Sequence, residues 1–150
     1  MPISYCISPD LDLLYARYFG PMRAAQFADI YQVYMDDPDY RLGRTELIDM
    51  SDATAMELNF EQVNTILMGV GRAIPKDTPP IRTVILAPSD VAFGLARMYQ
   101  SLADYSGLLE VSVHRTEAGA LSELGLSFPS VRAMLAEGGY NAFRHGRIDT

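Results

Sequence analysis

The alternation of apolar and polar positions predicts a domain that opens on a β-hairpin. Residues 3–7 and 13–18 are two runs rich in β-branched and aromatic side chains, and the five residues between them have the composition of a turn. After Gly20 the period changes, because residues 27, 30, 31 and 34 are apolar or aromatic and fall on one face of a helix. This pattern predicts a first helix over residues 22–35, which must end before Pro38.

Strands and helices then alternate. Residues 45–50 predict a short strand, and the inward positions of a second helix follow at 60, 63, 66, 67 and 70. Asn59 is placed as the N-cap of that helix, with Gln62 positioned to complete a capping box. Residues 82–87 predict another strand, after which Ser89 caps a third helix with inward positions at 91, 95, 98 and 102.

The rest of the chain predicts one more strand and two shorter helices. Residues 110–114 form the strand, Thr116 begins a helix that ends at Gly125, and residues 129–137 carry apolar side chains at helical spacing. The predicted fold is α/β, with a mixed sheet of about five strands and helices mainly on one face. We expect residues 1–125 to form the domain and residues 126–150 to be its C-terminal helical extension and tail, packed against the domain or a partner chain.

Composition mainly excludes partners. The 150-residue chain is 49% hydrophobic and 21% charged, as expected for one globular domain. Its net charge of −7 disfavours nucleic acid and anionic lipid surfaces, because it offers little basic surface to either. The nearest approach to a basic patch is the trio Arg144, His145 and Arg147. We therefore predict no nucleic-acid partner.

No segment predicts a membrane span or an export signal. The N-terminus lacks a basic start followed by an apolar run, and no window reaches the roughly 18 consecutive apolar residues of a spanning helix. Cys6 is the only cysteine, so the chain can form neither an intramolecular disulfide nor a multi-cysteine zinc site. We expect a cytoplasmic protein with no integral membrane segment.

Polar residues cluster where the predicted third and fourth strands end, the edge at which α/β sheets gather ligands. Eight of them are candidates for binding a partner or a ligand: Asp49, Ser51, Asp52, Thr54, Glu57, Asn59, Ser89 and Asp90. The alternative is that these residue types only form turns and helix caps. The helix start at Ser89 could also hold an anion, although the charge of Asp90 would compete for that position.

Catalytic machinery is not predicted. A serine nucleophile needs a neighbouring base, and neither His114 nor His145 is placed by sequence to supply one. His114 could face the same edge as Asp49, or it could simply be a half-exposed strand terminus. Because no nucleophile, base and orienting group assemble, we expect a protein that is not an enzyme and that uses no metal and no cofactor.

Methionine and tyrosine are frequent, with eight and nine residues respectively. Five tyrosines fall early in the chain: Tyr15, Tyr18, Tyr31, Tyr34 and Tyr40. Both residue types fill cores, but methionine also suits adaptable binding surfaces and tyrosine suits interfaces and amphipathic pocket linings. The pattern leaves a core, a binding surface and a pocket lining open as roles for these residues.

Several segments resemble a known family. Residues 47–56, LIDMSDATAM, are similar to the third strand and following loop of STAS domains, the sulfate-transporter and anti-sigma-factor-antagonist superfamily. Residues 13–20, 37–41 and 92–99 resemble recurring segments of the SpoIIAA-like group within it, and the resemblance covers about residues 1–125. It implies the STAS fold and a bacterial regulatory module that binds proteins.

The resemblance also bears on regulation. In the anti-sigma-factor antagonists this loop leads to Asp-Ser-Ser-Gly, whose first serine is phosphorylated by a partner kinase. A gapless comparison from Asp49 places that motif over residues 57–60, so Leu58, which has no hydroxyl, stands at the phosphoacceptor position. Ser51 is a displaced alternative acceptor.

Two functions are therefore expected. The first is a non-enzymatic regulatory module that lacks the usual phosphoacceptor serine and binds a protein partner or itself, as a homodimer. The alternative is a protein that binds a small apolar or lipid-like ligand in a cleft between helices and sheet.

Overall fold

A computed structural model of the chain describes residues 3–21, 23–27, 29–55 and 58–145. Within these residues, six strands form one mixed sheet in the order β5-β4-β3-β2-β1-β6. The strands are β1 (Ile3–Ser8), β2 (Leu13–Pro21), β3 (Thr45–Ala55), β4 (Ile81–Leu86), β5 (Leu109–His114) and β6 (Arg144–His145). The predicted α/β class with a mixed sheet is confirmed.

The sheet combines a hairpin with a parallel half. β1 pairs antiparallel with β2, as the sequence predicts, and also with the two-residue β6. From β2 onwards each neighbour is parallel: β2 with β3, β3 with β4, and β4 with β5. Parallel neighbours need long crossovers, and the helices of the chain supply them.

The helices are α1 (Ala24–Phe27), α2 (Ile30–Met35), α3 (Phe60–Ala73), α4 (Asp90–Ser106), α5 (Glu117–Glu123) and α6 (Val131–Glu137). The predicted caps are confirmed. The Asn59 side chain accepts a hydrogen bond from the Gln62 backbone N–H at 2.9 Å, and the Gln62 side chain accepts one from the Asn59 N–H at 2.9 Å. Ser89 caps α4 by accepting from the Ala92 N–H at 3.1 Å. Thr116 caps α5 in the same way.

The prediction of a single first helix over residues 22–35 is wrong. Two short helices stand there, because the backbone of Asp29, at φ −104° and ψ 8°, leaves the helical region and begins α2 anew. The four positions chosen for the buried face, 27, 30, 31 and 34, are all buried. The hydrophobic period therefore identified the buried face but not the interruption of the helix between α1 and α2.

The inward stripes of α3 and α4 are partly wrong. Phe60 is 57% exposed and Val91 is 61% exposed, although both were predicted to face inward. The residues of α4 that are fully buried are Ala92, Ala96 and Ala103. These small side chains allow α4 to lie close to the sheet, and a search for large apolar residues passes over them.

Helices cover both faces of the sheet. The described residues form two buried clusters. One lies between helices α1 to α4 and the face of the sheet that carries Ile48 and Met50, called the first face below. The other lies between helices α5 and α6 and the opposite face, which carries Leu47 and Leu86. The expectation of helices mainly on one face thus accounts for α1 to α4 but omits the layer made by α5 and α6. In that layer Leu121 of α5 and Val131 and Met134 of α6 are buried.

The chain after α6 is tied back to the domain. Asn141 accepts a hydrogen bond from the Ile7 N–H at 2.9 Å through its side chain and donates its own N–H to the Ile7 carbonyl at 2.9 Å. Arg144 donates to both carboxylate oxygens of the buried Asp37 at 2.5 Å and to Asp39 at 2.5 Å. Arg144 is therefore engaged in internal ion pairs, and Arg147 lies outside the described residues.

No helix in the described parts of the chain is long and apolar enough to cross a membrane.

The burial of Met134 predicts that α6 contributes to folding. Because its side chain is 0% exposed, Met134→Ala should lower the free energy of unfolding by about 2–5 kcal/mol in urea titrations followed by circular dichroism. The matched control is Arg132→Ala, an exposed position on the same helix, which should change it by less than about 0.5 kcal/mol. Equal, small effects of the two substitutions would contradict the packing of α6 on the sheet.

Candidate functional site

Four of the eight candidates lie inside a strand and not in a loop. β3 continues to Ala55, so Asp49, Ser51, Asp52 and Thr54 belong to it. The strand extends because β2 also runs further: Phe19 pairs with Asp52 after one register shift, and Pro21 pairs with Ala55 after a second. The expectation of a strand ending at residue 50 was wrong, since the pairing partner supplied by β2 outweighs the turn preference of Ser and Asp.

Asp49 is buried in a closed hydrogen-bond network on the face covered by α5 and α6. It accepts from the Tyr15 hydroxyl at 2.5 Å, from the Ser51 N–H at 2.9 Å and from the Ser51 hydroxyl at 2.5 Å. Arg17 Nε donates to the Tyr15 oxygen at 3.3 Å and lies 3.9 Å from an Asp52 carboxylate oxygen. Burial raises the pKa of the Tyr15 hydroxyl, and the carboxylate of Asp49 adds to this effect. Asp49 therefore acts as a structural acceptor.

The remaining candidates do not converge on Asp49. Asn59 and Ser89 cap their helices, Thr54 is exposed, and Glu57 lies outside the described residues. Asp90 forms an ion pair with Arg115, which also donates to the Pro88 carbonyl at 3.1 Å. The start of α4 thus already carries a negative charge of its own, which disfavours the alternative of an anion site there.

His114 does not pair directly with Asp49. It shares a row of the sheet with Leu86, which in turn pairs with Asp49, so a strand separates His114 from Asp49. Its Nε2 lies 3.8 Å from a Glu123 carboxylate oxygen. The described residues contain no group of three or more histidine, cysteine or acidic side chains that could hold a metal ion.

A cavity lies between the first face of the sheet and the helices, where the alternative function places its cleft, but Glu46, which lines it, was not among the predicted site residues. It has a volume of about 60 Å³ and is lined almost entirely by apolar and aromatic side chains. The lining residues are Tyr18, Phe27, Ile30, Tyr31, Glu46, Ile48, Met50, Leu58, Val63, Ile66, Val70, Ile85, Leu95, Ala96 and Tyr99. One carboxylate, that of Glu46, stands among them.

Glu46 is only 3% exposed. The Tyr31 hydroxyl donates to its Oε1 at 2.9 Å, whereas its Oε2 is buried and has no hydrogen-bond partner within the described residues. Burial raises the pKa of Glu46 to about 7, against the lowering effect of Tyr31 and Tyr34. The Tyr34 hydroxyl acts on Glu46 through a looser contact that does not meet hydrogen-bond geometry.

Two further polar atoms near Glu46 are also buried without a hydrogen-bond partner in the described chain. They are the Tyr34 hydroxyl and the hydroxyl of Thr83, which pairs with Glu46 in the register of β3 and β4 and so lies on the same face. Buried polar atoms are hydrogen-bonded in the great majority of cases, and each exception needs an explanation. Glu46 Oε2 and these two hydroxyls, all buried without a hydrogen-bond partner in the described chain, mark this region as the candidate site.

Five tyrosines interact with Glu46. Of the five early tyrosines, Tyr15 lies on the opposite face, whereas Tyr18, Tyr31, Tyr34 and Tyr40 all interact electrostatically with Glu46, as does Tyr99 of α4. Burial raises the pKa of each of these five hydroxyls, so all of them stay neutral at physiological pH. A strand signal could have found the site: Glu46 shares the parity of Ile48 and Met50, which places a carboxylate on a buried apolar row.

A second depression, of about 180 Å³, lies on the opposite face near the starts of β3 and β4, between Asp12, Arg82 and neighbouring leucines. Its charged groups already have partners. Asp12 pairs with Arg41 at 2.5 Å and with Arg44 at 3.4 Å, and Arg82 lies 3.5 Å from a Glu123 carboxylate oxygen. The cavity beside Glu46 is therefore the stronger candidate.

Comparison with known proteins adds no identity: no family model matches this chain, and no curated protein matches it either.

The burial of Glu46 predicts how stability depends on pH. The ordinary pKa of 4.5 becomes about 7 in the folded chain, so folding takes up a proton between these values and stability falls as the pH rises through them. The loss should reach roughly 3 kcal/mol and level off above pH 7. Glu46→Gln should remove this loss, so that urea titrations at pH 5 and pH 8 differ less for the variant than for the wild type.

The matched control for that experiment is Glu110→Gln, the same change at an exposed strand position. It should leave the difference between pH 5 and pH 8 as it is in the wild type. If the stability of Glu46→Gln changes with pH as much as that of the wild type, the claim that burial raises the pKa of Glu46 is wrong.

Proposed function

We propose that this protein binds a small, largely apolar molecule in the cavity beside Glu46, without catalysing a reaction on it. One observation carries the proposal: the described lining of an apolar cavity includes one carboxylate, and its Oε2 is buried without a hydrogen-bond partner among the described residues. Small-molecule sites typically combine an apolar lining with a few polar groups that fix orientation. Leaving a buried acceptor unsatisfied costs free energy, which a ligand with a hydrogen-bond donor would recover.

The polar groups of the cavity support binding more than catalysis. Apart from Glu46, the polar groups of the lining residues that the structure describes are the hydroxyls of Tyr18, Tyr31 and Tyr99, whose raised pKa values make them poor bases and poor nucleophiles. A carboxylate with neutral tyrosines can orient a ligand through hydrogen bonds.

We also retain membership of the SpoIIAA-like group of STAS domains, in a bacterial cytoplasm, as part of the proposal. The hairpin followed by alternating strands and helices is compatible with it. Leu58, the residue that replaces the family's phosphoacceptor serine, lines the cavity. In this chain an apolar lining residue would thus stand where the family places its switch.

Filling the cavity should abolish binding. Native mass spectrometry of freshly purified protein should show a recurrent bound mass, and NMR titration with the small probe 1-butanol should shift resonances of residues that line the cavity. Ala96→Leu, which adds three carbon atoms at a buried lining position of α4, should remove both signals.

The control for cavity filling is Ala118→Leu, the same change at an exposed position on α5. It should bind like the wild type. If Ala96→Leu does not fold, Ile66→Phe tests the same cavity from α3. Undiminished binding by a folded, filled variant would place the ligand elsewhere and defeat the proposal.

A second candidate function is protein interaction, with a partner or with a second copy of the chain. The observation that favours it is the exposure of Phe60 and Met68, which lie two turns apart on one side of α3, together with the exposed Val91 at the start of α4. Large apolar side chains left in water on neighbouring helices are typical of interaction surfaces. The resemblance to anti-sigma-factor antagonists points to the same function.

Self-association through this surface predicts a clear result in sedimentation equilibrium. The wild type should form dimers, and the double variant Phe60→Ser, Met68→Ser should shift toward monomer because it removes the apolar contact. Tyr105→Ser is the control, since Tyr105 is 95% exposed at the far end of α4. A wild type that stays monomeric at all concentrations would exclude the homodimer.

A further inference from the structure

We propose that the ligand is a small primary alkylammonium ion, whose charged head binds the free carboxylate oxygen of Glu46 while its chain occupies the apolar cavity. The inference rests on the proposed function, because it names the chemical class that this cavity selects. It follows from three features of the site: the charge of its lining, its aromatic side chains and its volume.

The described lining carries a negative charge and no positive one. Glu46 is its only ionisable group other than tyrosines, and no lysine, arginine or histidine lines the cavity. Arg44, the nearest arginine along the chain, instead donates to the Ser8 carbonyl at 3.3 Å and pairs with Asp12. An anionic head group, such as that of a fatty acid, would face Glu46 with no counter-charge, whereas a cation would pair with it.

Folding has already removed water from Glu46, so the binding of an ammonium ion would require desolvation of the ligand alone. The Tyr31 hydroxyl donates to Oε1 at 2.9 Å and fixes the carboxylate, whereas Oε2 is buried without a hydrogen-bond partner among the described residues and is the acceptor that a ligand would satisfy. Three N–H donors of a primary ammonium could then reach Oε2 and neighbouring hydroxyl oxygens, since each hydroxyl also accepts. Charge-assisted hydrogen bonds of this kind are stronger than neutral ones.

Aromatic rings give the cation a second source of stabilisation. Tyr18, Phe27, Tyr31 and Tyr99 line the same cavity as Glu46, and the Tyr18 and Phe27 rings lie 4.9 Å apart. The faces of aromatic rings attract ammonium ions, and the attraction grows when water is excluded. The net charge of −7 also raises the local concentration of cations around the protein.

The volume limits the size of the ligand. A cavity of about 60 Å³ is smaller than the 150 Å³ cavity that accommodates benzene in an engineered lysozyme, so only a short chain fits within it. The comparison sets an upper limit below the size of benzene, so we commit to a short alkylammonium of at most about four carbon atoms.

The titratable groups that face Glu46 determine the pH dependence of binding. They are Tyr18 on β2, Tyr31 and Tyr34 on α2, Tyr40 after α2, and Tyr99 on α4, all of which remain neutral near pH 7. Glu46 alone changes charge there, since burial raises its pKa to about 7. The affinity for an ammonium ion should therefore rise about tenfold from pH 6 to pH 8, as Glu46 ionises.

The test is calorimetric and NMR titration of the full chain with n-butylammonium chloride, 1-butanol and butyrate at pH 6 and pH 8. The inference expects butylammonium to bind best, to gain about tenfold on raising the pH, and to lose this gain in Glu46→Gln. Glu110→Gln, the exposed control, should behave as the wild type. If Glu46→Gln does not fold, the pH dependence in the wild type provides the same test without a substitution.

The outcomes separate the two proposals. If 1-butanol binds in the cavity as well as or better than butylammonium, or if butylammonium binds equally at both pH values, the amine inference is overturned and the ligand cavity stands. Tighter binding of butyrate would overturn it too. If none of the three binds and no mass co-purifies with the protein, both proposals fail.

Discussion

The carboxylate of Glu46 lies on the inner face of β3, and its burial is the constraint on which the site depends. A charge removed from water must be paired, hydrogen-bonded or neutralised, because desolvation costs several kcal/mol. Here Glu46 accepts one full hydrogen bond, from Tyr31, and burial raises its pKa, which favours the neutral form. The described residues supply no cation to Glu46 among the groups that act on its pKa. The described chain therefore leaves one oxygen of this carboxylate without a hydrogen-bond partner.

Asp49 shows that the same strand can satisfy a buried carboxylate fully. It stands three residues after Glu46, on the opposite face, and accepts three hydrogen bonds from Tyr15 and Ser51. Glu46 is 3% exposed and Asp49 is 6% exposed, so burial alone does not distinguish them. The difference lies in the neighbours: Asp49 has local donors, and Glu46 borders a cavity. For this reason Glu46, and not the Asp49 predicted from the sequence, is the centre of the candidate site.

Local sequence chemistry predicted the elements well where one residue decides them. The caps at Asn59, Ser89 and Thr116 follow from short polar side chains that accept hydrogen bonds from N–H groups in the first turn of the helix. The hairpin follows from the turn between its strands. The length of β3 was not predictable in this way, because it depends on a pairing partner in β2 that is distant in sequence. The second helical layer was missed for a similar reason, since which face α5 and α6 cover is set by tertiary packing.

The candidate site itself needed the structure, because its parts are far apart in the chain. Strand parity can mark Glu46 as inward, but only the fold brings Tyr31 and Tyr99 to it from two different helices. The two candidate functions also share α3: Val63, Ile66 and Val70 line the cavity, whereas Phe60 and Met68 face outward. Substitutions on α3 can therefore disturb both functions at once. Glu46 lies on the sheet, away from the exposed residues, and so a change there separates ligand binding from protein interaction.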